Sequence, residues 1–315
     1  MPAFRDPDTY RDILDGLQIG VSVLDLEKKI VFWSDGAEEI TGYSRIDVLG
    51  HGCAENILLH CNQNSCEMCT GQCPLASAQR EGKPMEAMSF IHHKSGHRMQ
   101  VHTWAIPLRD KHGSIIGIIQ TFEGEFALGS PGPNDVSMRE RGCLDETTGL
   151  PNEAMMHAHL REMLGTFEEL RISFGVVCLE LSELAKFRAR YGQVATRSML
   201  QVLARTLKNS VWATDFVGRW SEDRFLAILS GCQAGALQVV SQRILNMAAS
   251  ASIQWWGEQL QLGVAIGSTV SMAGDNVETI LHRTQDGLPG SQADTAQGAA
   301  LAAAASASAS KGLTS

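Results

Sequence analysis

The chain has 315 residues, of which 44% are apolar and 19% charged, with a formal net charge of −9. That length suits two domains of ~100–200 residues. The negative balance and the lack of any basic run exclude a phosphate-backbone partner, because nucleic-acid binding needs clustered Lys and Arg.

The first residues, MPAFRDPDTYRD, hold no apolar stretch of the secretory kind. The longest apolar runs, SIIGIIQTF and FGVVCLEL, are under half the ~20 residues of a membrane helix. A soluble, cytoplasmic protein without a membrane partner is therefore expected. Its eight cysteines are then expected to be reduced thiols or metal ligands. Five of them fall between Cys53 and Cys73.

Residues 8–25 read as a helix followed by a strand, with Tyr10, Ile13, Leu14 and Leu17 on one helical face. GVSVLDL (Gly20–Leu26) and IVFW (Ile30–Trp33) are strand-like. Gly42 and Gly50 punctuate a pair of short helices over Ser34–Gly50. A cysteine-rich segment follows, then a short helix over Pro74–Gly82. MEAMSFIHH, HRMQVHTWAIPL and SIIGIIQTFEG are three further strands, the last two joined by the turn RDKHG. This order, with the Gly-Val-x-Val-x-Asp start and the segment from Trp33 through Ile40-Thr-Gly-Tyr-Ser44, resembles a PAS domain over 8–125. The resemblance implies an α+β sensor fold with a Cys-rich insertion at 51–75.

A Gly/Pro/Ser break at Ala127–Ser137 marks a linker, 126–142. Its GSPGP run interrupts any continuous signalling helix, and VSMRERGCL is too short to restore one. LDETTGLPN (Leu144–Asn152) opens a second domain. Helices are expected over Glu153–Leu164, Thr196–Asn209, Ala234–Ser250 and Val277–Thr284. Strands are expected at Ile172–Leu181, in a hairpin of FVGRW with RFLAILS, and at Leu260–Val270. This domain, 143–288, resembles a GGDEF domain, which implies an α/β nucleotide-cyclase-like fold. The Ala/Ser-rich tail, 289–315, has too few large apolar side chains to offset ordering entropy and is expected to be disordered.

Active GGDEF enzymes join two GTP molecules, held on two subunits, into cyclic di-GMP. A ribose 3′-hydroxyl attacks an α-phosphate, carboxylate-held divalent metal offsets the phosphate charge, and paired glycines let backbone approach the phosphates. Here the turn reads Arg219-Trp-Ser-Glu-Asp-Arg-Phe225. On the family pattern Ser221 and Glu222 replace both glycines, Asp223 keeps an acid, Arg224 replaces the next glutamate, and Phe225 is retained. Glu222 would face the triphosphate with like charge. Glu180 takes the place of a metal-binding aspartate, so Glu180 and Asp223 are the candidates for residual Mg²⁺/GTP binding. Arg188 and Arg197 stand where the family's guanine readers belong, and lost base-edge partners forfeit selectivity. The phosphate-contacting lysine is absent from Thr284–Gly290, where Gly287, Pro289 and Gly290 end the helix early. The product-inhibition motif survives only as Trp212–Asp215. No catalytic residues are therefore expected. The expected role is a docking, dimerising or nucleotide-receptor module; the alternative is an active diguanylate cyclase.

The segment His51–Leu75 carries Cys53, His60, Cys61, Cys66, Cys69 and Cys73. Thiolates and imidazole together suit zinc or an iron–sulfur cluster. Its pattern resembles a subgroup of PAS–GGDEF sensors, which implies Cys53, His60, Cys69 and Cys73 as the core set, with Cys61 and Cys66 as alternates. A structural zinc clip, a redox-responsive cluster or dithiol, and thiols without metal all remain open. His92 and His102 are placed to face each other across strands, Trp33 and Trp104 belong to the core, and an exposed member of Trp255–Trp256 would mark a dimer patch. A homodimer or a protein partner is expected.

Overall fold

The computed structural model describes residues 7–53, 55, 57–61, 73–124 and 142–288. Two compact units result: Met1–Ser137 with Arg197–Ser210 and Asn246–Gln261, and Met138–Thr196 with Val211–Leu245 and Leu262–Ser315. Apart from Gly142, the expected linker lies outside the described residues, as does the expected disordered tail.

The N-terminal domain runs α1 (Pro7–Asp15), β1 (Gly20–Leu24), β2 (Ile30–Trp33), α2 (Asp35–Thr41), α3 (Arg45–Val48), α4 (Pro74–Glu81), β3 (Met85–His92), β4 (Arg98–Arg109) and β5 (Ile115–Gly124). The strands form one antiparallel sheet in the order β2-β1-β5-β4-β3, so the first and last strands meet at its centre. Alternation decides which side chains turn inward. Leu24, Val101, Ala105, Ile118 and Phe122 meet Trp33 and the small helices' Ala37, Val48, Leu75 and Ala78 in one buried cluster. Each large apolar side chain buried this way contributes about 1.5–3 kcal/mol. Trp33 satisfies its indole N–H on Tyr43 O at 3.0 Å. Ser34 caps α2 by accepting from Ala37 N at 3.2 Å and ties it to β1 by accepting from Val21 N at 2.9 Å.

The C-terminal domain runs α5 (Glu153–Leu170), β6 (Gly175–Ser182), α6 (Leu184–Asn209), β7 (Phe216–Arg219), β8 (Arg224–Leu229), α7 (Ala234–Ala249), β9 (Ile253–Trp255), β10 (Glu258–Leu260), β11 (Gly263–Val270) and α8 (Val277–Asp286). Its sheet is ordered β11-β6-β8-β7, with β9 and β10 forming a separate hairpin. Met156, Leu160, Leu164 and Phe167 of α5 pack with Val176, Cys178, Leu226, Ile228, Ile280 and Leu281.

Several boundaries differ from expectation. The helix expected to end at Leu164 continues to Leu170, because Phe167 adds another buried turn. The strand expected from Ile172 starts at Gly175, and Ile172 is exposed. The helix expected from Thr196 begins just after Gly192, whose non-helical backbone (φ 81°) separates it from a first helical segment that starts at Leu184. Leu260 belongs to the β9–β10 hairpin, so the last strand starts at Gly263. The final helix runs to Asp286, with Gly287 as its C-cap. His92 does not face His102: it lies opposite Arg98, and His102 opposite Met88. Trp33 is buried as expected, whereas Trp104 is half-buried on the outer face beside His102. Trp256 is the exposed member of its pair, at the β9–β10 turn.

Candidate functional site

The turn between β7 and β8 is positioned from the start of the domain. Asp145 Oδ1 accepts from Thr148 N at 2.8 Å and from Thr148 Oγ1 at 2.7 Å, which closes the Asp145–Gly149 loop. Leu144 and Pro151 form an antiparallel bridge, and Asn152 caps α5. Pro151 O then accepts from Arg219 N at 2.7 Å, tying this opening loop to the end of β7. Gly218 is required there: a Cβ would sit 2.3 Å from Met156 Sδ and 2.6 Å from Pro151 O.

Trp220 N and Ser221 N both donate to Arg224 O, at 2.9 and 3.2 Å. Ser221 Oγ donates to Asp223 Oδ1 at 2.7 Å. Arg219 reaches under the turn, donating through Nε to Ser221 O at 2.6 Å and through Nη2 to Glu222 O. Its guanidinium lies 4.6 Å from the Phe225 ring centroid, a cation–π contact over a buried floor.

The charged residues around the turn pair with one another. Glu180 and Arg224 are opposite residues of β6 and β8. Arg224 donates to Glu180 Oε2 from Nε at 2.9 Å and from Nη2 at 2.7 Å. Glu222 forms an ion pair with Arg188 of α6. Three cations (Arg188, Arg219, Arg224) thus meet three anions (Glu180, Glu222, Asp223), and the formal charges around the turn cancel. The Glu222 carboxylate, expected to face a triphosphate, is engaged by Arg188. Arg197 is exposed on α6.

Both candidate metal carboxylates are engaged by neighbouring side chains. The Glu180 carboxylate is committed to Arg224, and the Asp223 carboxylate accepts from Ser221. Among the described residues, no group of three or more His, Cys, Asp and Glu is arranged to hold a metal ion.

Of the expected ligands in the cysteine segment, Cys53, His60, Cys61 and Cys73 are all buried, whereas Cys66 and Cys69 lie outside the described residues. Cys53 and Cys73 belong to the apolar core of the N-terminal domain. His60 is 1% exposed; its Nε2 lies 2.9 Å from Gln120 Nε2, and its Nδ1 has no hydrogen-bond partner among the described residues. Burial first, then the Arg98 charge, pushes its pKa down to about 4, so the ring is neutral at pH 7. Cys61 pairs with the β3 edge, exchanging 2.8 Å backbone bonds with Phe90 in both directions.

Sequence reasoning missed Arg219 and Gln120. Arg219 had read as a flank, although a cation one residue before an acidic turn was its signal. Gln120 sits at an inward position of an alternating strand, where a polar side chain needs a buried partner.

The model for "Diguanylate cyclase, GGDEF domain" matches residues 143–294, and a PAS domain model matches 19–123. The Probable diguanylate cyclase DgcE of Escherichia coli K12 is 22% identical over 275 residues, covering 85% of this chain and 24% of that protein. Diguanylate cyclase DgcP of Pseudomonas aeruginosa is 21% identical over 150 residues, covering 48% of this chain and 22% of its own length. The chain therefore spans about a quarter of the length of these two relatives. Among solved structures, diguanylate cyclase SiaD of Pseudomonas aeruginosa, in complex with its activator SiaC, is 21% identical with a TM-score of 0.46, covering 49% of this chain and 59% of that one. The chain thus carries a PAS domain followed by a GGDEF domain and has diguanylate cyclases among its relatives.

Proposed function

We propose that this protein signals without synthesising cyclic di-GMP. Its PAS half senses redox state, metal or a small ligand, and its GGDEF half serves as a docking, dimerising or nucleotide-receptor module. The observation that carries this reading is the pairing of Glu180 with Arg224 and of Glu222 with Arg188. Positions that in the family hold metal, base and phosphate are engaged with each other here. Seating a metal on Glu180 would require breaking its ion pair with Arg224.

The test is incubation of the purified chain with GTP and Mg²⁺ or Mn²⁺. No cyclic di-GMP is expected. Accumulation that Asp223→Ala abolishes would overturn the proposal and make the protein a diguanylate cyclase. Calorimetry with GTP separates the two remaining roles. Saturable heat identifies a nucleotide receptor, and silence at millimolar GTP leaves docking or dimerisation.

A metal at the cysteine segment is a separate proposal, favoured by the unpartnered Nδ1 of the buried His60. As placed, the Gln120 amide nitrogen donates to His60 Nε2 and leaves the ring proton on Nδ1, so ligation through Nδ1 would require the Gln120 amide turned to present its oxygen to Nε2–H. Cys53, Cys73 and Cys69 would complete the set, with Cys61 and Cys66 as alternates. Elemental analysis and a visible spectrum of anaerobically purified protein decide it: zinc at one equivalent, iron with broad absorbance, or neither.

A further inference from the structure

Within the first compact unit, the β3–β4 hairpin touches two things at once. On one side it carries the start of the cysteine segment. Cys61 is bridged to Phe90, His92 N donates to Leu58 O at 2.8 Å, and Arg98 Nη1 donates to Leu59 O at 2.8 Å. On the other side it meets the segments 197–210 and 246–261, which belong to the same unit. Arg98 N donates to Thr206 Oγ1 at 3.4 Å, and Arg98 O accepts from Asn209 Nδ2 at 3.0 Å. The turn approaches Ser252 so closely that a Cβ on Gly96, which has φ +91°, would stand 1.9 Å from Ser252 O. Cys61, Phe90 and Met247 close the arrangement as a small buried apolar cluster.

Arg98 is the shared member. Its guanidinium holds the cysteine segment, and its backbone holds the last turn of α6. His97, stacked on His93 at a centroid distance of 4.2 Å, is buried beside it.

We infer that this hairpin is an internal relay, which links the cysteine segment to the C-terminal ends of α6 and α7 by direct packing. Such a relay does not need a continuous helix through the linker. It is also independent of whether the β7–β8 turn binds nucleotide. Energetic coupling is reciprocal, so a change at α7 must be felt at Cys61 just as a change at Cys61 is felt at α7.

The experiment uses the full chain. Iodoacetamide alkylation of Cys61 is followed by peptide mass spectrometry, and hydrogen exchange is read over 197–210 and 246–261. Met247→Ala is expected to raise Cys61 alkylation at least tenfold. Gly96→Val is expected to raise exchange in both segments at least tenfold, while β1 and β5 stay protected. Asn209→Ala removes one side-chain bond and adds no bulk, so it keeps the test open if Gly96→Val fails to fold; a severalfold rise in Cys61 alkylation is expected. His112→Ala, at the opposite β4–β5 turn, is expected to change neither readout. Cys61 alkylation unchanged in both Met247→Ala and Asn209→Ala would overturn the relay. So would retained protection of 197–210 in a folded Gly96→Val chain.

Discussion

The pairing of Glu180 with Arg224 has a measurable energy, and its partial burial sets the scale. The two side chains are 30% and 32% exposed, so the pair is neither fully solvated nor fully enclosed. Exposed pairs couple by about 0.2–1 kcal/mol, and breaking a buried pair costs about 3–5 kcal/mol. Two charge-assisted bonds to a single oxygen place this pair just above the exposed range, at about 1–1.5 kcal/mol, close to a tenfold change in an opening equilibrium. The Glu222 side chain is 67% exposed, so its pairing with Arg188 is expected to couple by about 0.5 kcal/mol or less. Two double-mutant cycles, Glu180→Ala with Arg224→Ala and Glu222→Ala with Arg188→Ala, isolate these values. Native-state hydrogen exchange of β6 and β8 amides reads them within the intact chain. The first coupling should persist better in high salt, because its charges are less solvated. A first coupling indistinguishable from zero, or smaller than the second, would refute the view that the turn is closed by its own ion pairs.

Gly218→Ala should lower stability by about 1–3 kcal/mol, since the added methyl meets Met156 Sδ and Pro151 O; thermal melting checks it. Phe122→Ala, at the centre of the PAS core, should cost about 3–5 kcal/mol in denaturant unfolding. His97 supplies a pH dependence. Burial first, and then the charges of His93, Arg205 and His92, push its pKa from 6.5 down to about 3. Its contribution to stability is complete above pH 6.5 and is lost as pH falls from there toward 3. The slope is at most about 1.4 kcal/mol per pH unit. His97→Gln should flatten that slope in acid unfolding; an unchanged acid profile would contradict the burial of a neutral ring.

The order of elements was legible in the chain because periodicity is local. Inward residues recur every second position in β4 and β5, and glycines stop the short helices at Gly42 and Gly82. One boundary failed where packing overrode local cues: Phe167 drew α5 onward to Leu170. The presence of Ser221 and Glu222 in the β7–β8 turn was readable from the sequence alone. Their partners were not. Glu180 precedes Arg224, and Arg188 precedes Glu222, by dozens of residues, and nothing within a local window says which charges will meet. Only strand register and the approach of α6 bring them together, because an ion pair depends on distance in space. Burial of His60 beside Gln120, and of Cys61 beneath Phe90 and Met247, is likewise a result of the closed sheet and its neighbours. Composition and spacing determined what kinds of chemistry this chain carries; tertiary contact decided which of those groups remain available to act.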